Sequence, residues 1–259
     1  MNNIKEYLEF ITEHKLYGKS IKDMLRLIED KSKKYWVILD SETTGLPSNE
    51  YDVQLTQLSG IVVKFNFKNN TFEEIDIFNK KIKLTKDTKY QMKDHSNIKR
   101  ILSFNHYGQN TQFHEEKDTL KEFQSFIEQY DNPIFVIQNA EFDMRYLNTR
   151  GDVKFRNEVI DTKQLLQYFY LPAIQKLSET SEIYKSLVMD IGISQRDNGL
   201  ISSSLSKVGP ALGINMSGYH DALIDCRLLS EMVSKVIKFL KENSNIDIKN
   251  YQYNRFSSK

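Results

Sequence analysis

From Tyr35 onward the apolar residues of the chain stop recurring at helical spacing and gather into three strand-like runs: YWVIL (35–39), QLSGIVVKF (57–65) and EEIDIFNKKIKL (73–84). The last two are joined by NFKNN, a turn-rich link too short for a crossover, so the domain must open with an antiparallel meander. Here a helix at 115–130 carries Leu120, Phe123, Phe126 and Ile127 on one face, and the short apolar strand PIFVIQ (133–138) follows it. Next come a helix AEFDMRYLNTR (140–150), a strand EVI (158–160) and a helix TKQLLQYFY (162–170). Such alternation predicts an α/β protein with a mixed sheet, antiparallel at first and parallel afterwards, flanked by helices. A long helix from Asp221 to Lys241 is expected to bury Ala222, Cys226, Leu229, Val233, Val236 and Leu240. Before the meander, Ile4, Leu8 and Ile11, then Ile21, Met24, Leu25 and Ile28, mark two short amphipathic helices, a helical extension of the domain.

With 259 residues the chain can build one principal domain with appendages. The expected division is an N-terminal helical extension at 1–32, the main domain at 33–245 and a tail at 246–259. A formal net charge of +1 gives no global attraction to a polyanion, so any nucleic-acid contact must use local patches. The single cysteine, Cys226, excludes an internal disulfide and a cysteine-based zinc site. The polar N-terminus and the lack of a run of about 20 apolar residues argue against a signal peptide or a membrane partner, and a cytoplasmic protein is expected.

The first strand runs directly into chemistry, in WVILDSETTGLPS (36–48). Strand side chains alternate, so Asp40 and Glu42 point the same way with Cα atoms roughly 6.5 Å apart. A divalent cation between them would relieve their repulsion. Two more acids belong near that sheet edge. Asp143 follows the strand PIFVIQ in the first turns of the next helix, and Asp225 lies near the start of the long helix, where the helix dipole favours a negative charge. His220 precedes Asp225 by five residues, which is about 140 degrees around a regular helix. For both to face one site His220 must lie in the preceding loop, and Gly218 makes that accessible.

The motifs DSETTGLP, NAEFDMRYL and HDALID, in this order, together with Asp161-Thr162 after a strand, resemble the DEDDh subgroup of the DEDD superfamily of 3′-to-5′ exonucleases, whose fold is ribonuclease H-like. The resemblance spans about residues 35 to 240. It implies two divalent ions, Mg2+ or Mn2+, held by Asp40, Glu42, Asp143 and Asp225, with Asp40 bridging and Asp143 able to act through a water. In such a site roughly 3.5 to 4 Å separates metals that activate water and stabilise the leaving oxygen. It implies His220 as the general base, a role suited to an unperturbed pKa near 6.5. It places Thr43, Thr44, Gly45 and Leu46, with Asn139 and Phe142, where the terminal nucleotide is held. The implied activity is removal of nucleoside monophosphates from single-stranded 3′ ends, with DNA preferred over RNA, in replication or repair. An exoribonuclease and a non-catalytic module binding nucleic acid or a polymerase remain the alternatives, and the N-terminal helices could serve a polymerase or other partner. Gln138 stands where many members carry histidine.

Other features read more plainly. His14, His95, His106 and His114 have no ligand-like spacing and are expected at the surface. Cys226 and the aromatic run QYFYL (167–171) suit the core. Between residues 80 and 100 eight basic side chains face two acids, a solvated strand and loop or a track for phosphates. SQRDNGLISSS (194–204) reads as a surface insertion, and the tail YQYNRF as folding back on the domain.

Overall fold

The computed structural model describes residues 18–45, 53–85, 112–193 and 200–251. Six strands form one mixed sheet in the order β4-β3-β2-β1-β5-β6: β1 Tyr35–Thr43, β2 Leu55–Asn66, β3 Thr71–Ile82, β4 Phe113–His114, β5 Ile134–Ile137 and β6 Val159–Asp161. β1 to β3 are the expected antiparallel meander, and β5 and β6 run parallel to β1. β4 escaped the sequence reading because two residues on the edge carry no periodicity; it pairs in parallel with the end of β3.

β1 is central, so its apolar run feeds two cores. Trp36 and Ile38 face one, Val37 and Leu39 the other, and all four are completely buried. The first core is covered by α1 (Ile21–Lys31) and the 21-residue α8 (Ala222–Glu242), whose expected stripe from Ala222 to Leu240 is buried throughout. The second is covered by α2 (Glu116–Ile127) and α3 (Ala140–Thr149). At Gly60, a Cβ would come within 2.8 Å of the Phe123 ring, so glycine lets α2 lie close on β2.

The helix expected at 162–170 begins as α4 (Thr162–Leu165) and runs on beyond Tyr170. Its chain widens into a π-turn at Leu166–Tyr170, in which the Leu171 N–H bonds the Leu166 carbonyl, and resumes as α5 (Leu171–Ser178). The wider turn accommodates proline in the first turn of α5, where its missing donor is tolerated. α6 (Glu182–Ile191) and α7 (Leu205–Ala211) complete the α-helices among the described residues, and a 3-10 turn follows at Lys249–Tyr251. No helix among them is long and apolar enough to cross a membrane. Only part of the 194–204 segment lies within the described residues. Ile201 and Ser203 are buried, so that part is built into the domain instead of decorating it. Tyr251 folds back to bond Glu179, with Lys176 over its ring at 5.6 Å. Of the basic stretch, Lys80 pairs with Glu122 and Lys83 with Glu115; 86–100 lie outside the described residues, as do the first expected helix and His14, His95 and His106.

The second expected helix, α1, is no loose appendage. Ser20 caps it by accepting the Asp23 N–H, and Ile21, Met24, Leu25 and Ile28 belong to the same core as Trp36. The indole N–H of Trp36 donates to the Lys31 carbonyl at 2.9 Å. Each such side chain contributes about 1.5–3 kcal/mol through burial. A chain beginning at Lys33 is therefore expected to melt at least about 10 °C below the full chain, at 2–4 °C per kcal/mol for a domain of this size. Thermal unfolding of both lengths checks this; equal midpoints would separate α1 from the core.

Candidate active site

Strand alternation decides which way each residue at the end of β1 looks. Asp40 and Glu42 continue the Trp36–Ile38 face toward α8, while Ser41 continues the Val37–Leu39 face toward α3. There the Ser41 hydroxyl donates to Asp143 Oδ1 at 2.6 Å. Asp143 thus reaches the sheet edge from one side and Asp225 from the other. Thr43 and Thr44 are buried beyond a bulge that shifts the β1–β2 register after Glu42. Thr43 Oγ1 donates to the Gly45 carbonyl at 2.8 Å and Thr44 Oγ1 accepts from Gln54 N–H at 3.0 Å, which shapes the turn. Leu46 lies outside the described residues.

His220 lies before α8, as its spacing to Asp225 required. Its φ is 79°, and Gly218 before it has φ 83°. A Cβ at Gly218 would come within 2.5 Å of Ile224, so both space and backbone call for glycine. The His220 N–H donates to Asp225 Oδ2 at 3.2 Å, and Asp221 caps α8 by accepting from Leu223 and Ile224 N–H. Glu42, His220 and Asp225 each offer a ligand-type atom, all within 4.8 Å of one another.

The carboxyls resist ionising together. Burial pushes Glu42 up to about 8, with Asp225, Asp143 and Asp221 adding repulsion. Burial raises Asp143 to about 7 against the pull of the Ser41 hydroxyl, and raises Asp225 to about 7 against the His220 N–H. Asp40 is held well above the usual carboxylate range by burial, then by Asp143, Glu42 and Asp225. Asp225 Oδ1 is buried without a hydrogen-bond partner. An oxygen with no donor, among carboxylates that repel, suits a hard divalent cation.

Asp161 anchors the far side. Its buried carboxylate accepts N–H groups from Asn139, Ala140 and Lys163 at 3.1, 3.2 and 2.9 Å, fixing the start of α3 that carries Asp143. Burial raises it to about 6 even so. Asn139 is left-handed at φ 65°, its Oδ1 accepting from Lys163 Nζ at 3.2 Å, and Phe142 packs half-buried on the Tyr146 ring. Gln138 turns away into the scaffold, donating to the Ser203 carbonyl at 2.8 Å and accepting from Thr162. Sequence reasoning did not find Ser41, though alternation from Asp40 points to its face. It also missed Gln57, which depends on the β1–β2 register.

No family model matches the chain. The DNA polymerase III PolC-type of Staphylococcus haemolyticus (strain JCSC1435) is 22% identical over 215 residues, which are 82% of this chain and 12% of that protein. Among solved structures, E. coli exonuclease I in complex with a dT13 oligonucleotide matches with a TM-score of 0.55 and 17% identity over 81% of this chain and 42% of that one. The zinc-bound form of the same enzyme with single-stranded DNA gives a TM-score of 0.52 and 13% identity over 82% and 42%. The chain thus spans less than half the length of each of these proteins. The chain therefore shares the fold of E. coli exonuclease I.

Proposed function

We propose that the protein is a metal-dependent 3′-to-5′ exonuclease that removes nucleoside monophosphates from single-stranded ends, with DNA preferred. The observation that carries this reading is the buried, unpartnered Oδ1 of Asp225 within a group that includes Glu42 and His220. Asp40, Glu42, Asp143 and Asp225 would hold two divalent ions, Mg2+ or Mn2+. Such ions, once bound, lower the pKa of water and stabilise a leaving oxygen. The chain's own part is to orient and to move a proton. His220, held by its backbone bond to Asp225, takes the proton of the attacking water. The Thr43–Gly45 turn and Asn139 offer polar groups to the terminal nucleotide, and Phe142 offers a ring face to its base. The catalytic domain is assigned to 33–245, with α1 docked on it and 246–259 as a tail. The preference for DNA is supported by the similarity to a polymerase of DNA and by the dT13 ligand of the matched exonuclease.

Matched 5′-labelled DNA and RNA oligonucleotides, digested in single turnover with Mg2+ or Mn2+, test the reading. The expected result is a ladder shortened from the 3′ end, faster on DNA and silenced by chelation. Faster RNA trimming would make the protein an exoribonuclease, and intact oligonucleotides would make it a binding module.

A further inference from the structure

Gln57 sits opposite Glu42 in the β1–β2 ladder and is completely buried. Its carboxamide is tied to three residues on two elements. Nε2 donates to Asp221 Oδ1 at 3.3 Å and to Asn79 Oδ1 on β3 at 3.0 Å, while Oε1 accepts the Ala222 N–H at 3.3 Å. Asn79 Oδ1 also takes the Ser59 hydroxyl at 2.9 Å, which binds the amide to the sheet from below. Asp221 and Ala222 are the cap and first residue of α8; His220 is the residue before them, and the Asp225 N–H donates to the Asp221 carbonyl at 2.8 Å.

We propose that Gln57 is a positioning residue of the active site: it holds the first turn of α8 against the strand pair that carries Glu42, so that Glu42, His220 and Asp225 stay within reach of one ion. The proposal rests on reading those residues as a metal-dependent nuclease centre. The chemistry of the tether is specific. Asp221 Oδ1 and Asn79 Oδ1 accept only, whereas the Ala222 N–H needs an acceptor, and a carboxamide meets both with its NH2 and its oxygen. An apolar side chain would leave the Ala222 N–H without its acceptor and take one of several donors from Asp221 Oδ1 and from Asn79 Oδ1. A carboxylate would face Asp221 and Asn79 with lone pairs only. Farther along, α8 is fixed independently by its buried stripe from Cys226 to Leu240, so loss of the tether frees the first turn without removing the helix.

The test compares Gln57→Leu, Gln57→Glu and the double variant Gln57→Glu/Asp221→Asn in the full chain. It uses Mn2+ titration by calorimetry without substrate, kcat and KM on a 5′-labelled DNA single strand, and thermal midpoints. Both single variants should weaken Mn2+ binding and lower kcat by about 10- to 100-fold, the usual effect of groups behind a metal ligand. KM should stay within about twofold, because the nucleotide-holding turn is untouched. In the double variant the repulsion between the carboxylates at 57 and 221 is gone, asparagine still caps α8 and the carboxylate at 57 keeps the Ala222 N–H, so binding and kcat should recover in part. Folded Gln57→Leu with unchanged Mn2+ affinity and kcat overturns the proposal. If Gln57→Leu does not fold, equal losses in Gln57→Glu and in the double variant overturn it. A wild type that binds Mn2+ but leaves the oligonucleotide intact refutes the nuclease reading alone, and the Mn2+ arm still judges Gln57. A wild type that binds no Mn2+ refutes both.

Discussion

Asp40→Ala or Asp225→Ala is expected to abolish hydrolysis while the protein remains folded, and at pH 8 without metal each variant should unfold at a higher temperature than the wild type. Both halves follow from the same electrostatics. Loss of a carboxylate removes an ion ligand, and with it the activation of water and the stabilisation of the leaving oxygen. It also removes a buried charge from a group in which Glu42 is pushed up to about 8 and Asp143 and Asp225 to about 7. The sign of the pH effect follows. Between the ordinary carboxylate range and about 8 the folded state binds more protons than the unfolded chain, so stability is greatest at the acid end of that window and is lost as pH rises through the folded values. Metal-free wild type should melt upward of about 5 °C lower at pH 8 than at pH 5.5, and a divalent ion should restore the difference by neutralising the site. The check is cleavage rate beside melting curves at both pH values, with chelator and with Mg2+. Wild-type digestion by Asp40→Ala, or a metal-free wild type more stable at pH 8, would remove the basis of the site.

His220→Ala is expected to lower kcat by about 100- to 10,000-fold, the usual share of general acid-base catalysis, and to regain part of it at high pH, where hydroxide replaces the base. The variant must respect the backbone. His220 has φ 79°, a conformation that asparagine tolerates better than alanine, so His220→Asn provides the comparison in which loop geometry is kept and the base is lost. Both variants should lose activity alike if the imidazole is what matters. Single-turnover rates from pH 6 to 9 decide it, with oligonucleotide affinity measured alongside. Rates equal to wild type across that range would show that His220 is not the base.

How much of this was legible in advance differs residue by residue. The meander, the parallel strands and the stripe of α8 were readable because each rests on periodicity within a short window, and periodicity is set by backbone geometry alone. The placement of His220 outside α8 was readable for the same reason: five residues do not return to one face of a helix. β4 was not, since two edge residues contain no period. Nor was the passage of the chain through Pro172, which depends on a π-turn held among buried Leu166, Tyr168 and Phe169.

The sequence by itself determined which residues can ionise, ligate and turn: two acids on one side of β1, one at the start of each of two helices, a histidine placed by glycine. These are local properties, fixed by bond geometry and side-chain chemistry. Only the tertiary structure decided what supports them, because contacts such as Ser41 with Asp143, Asp161 with the start of α3, and Gln57 with the start of α8 join residues 102, 21 and 165 positions apart. Their existence depends on strand register and helix docking, which the packing of the two cores sets together and no local window contains.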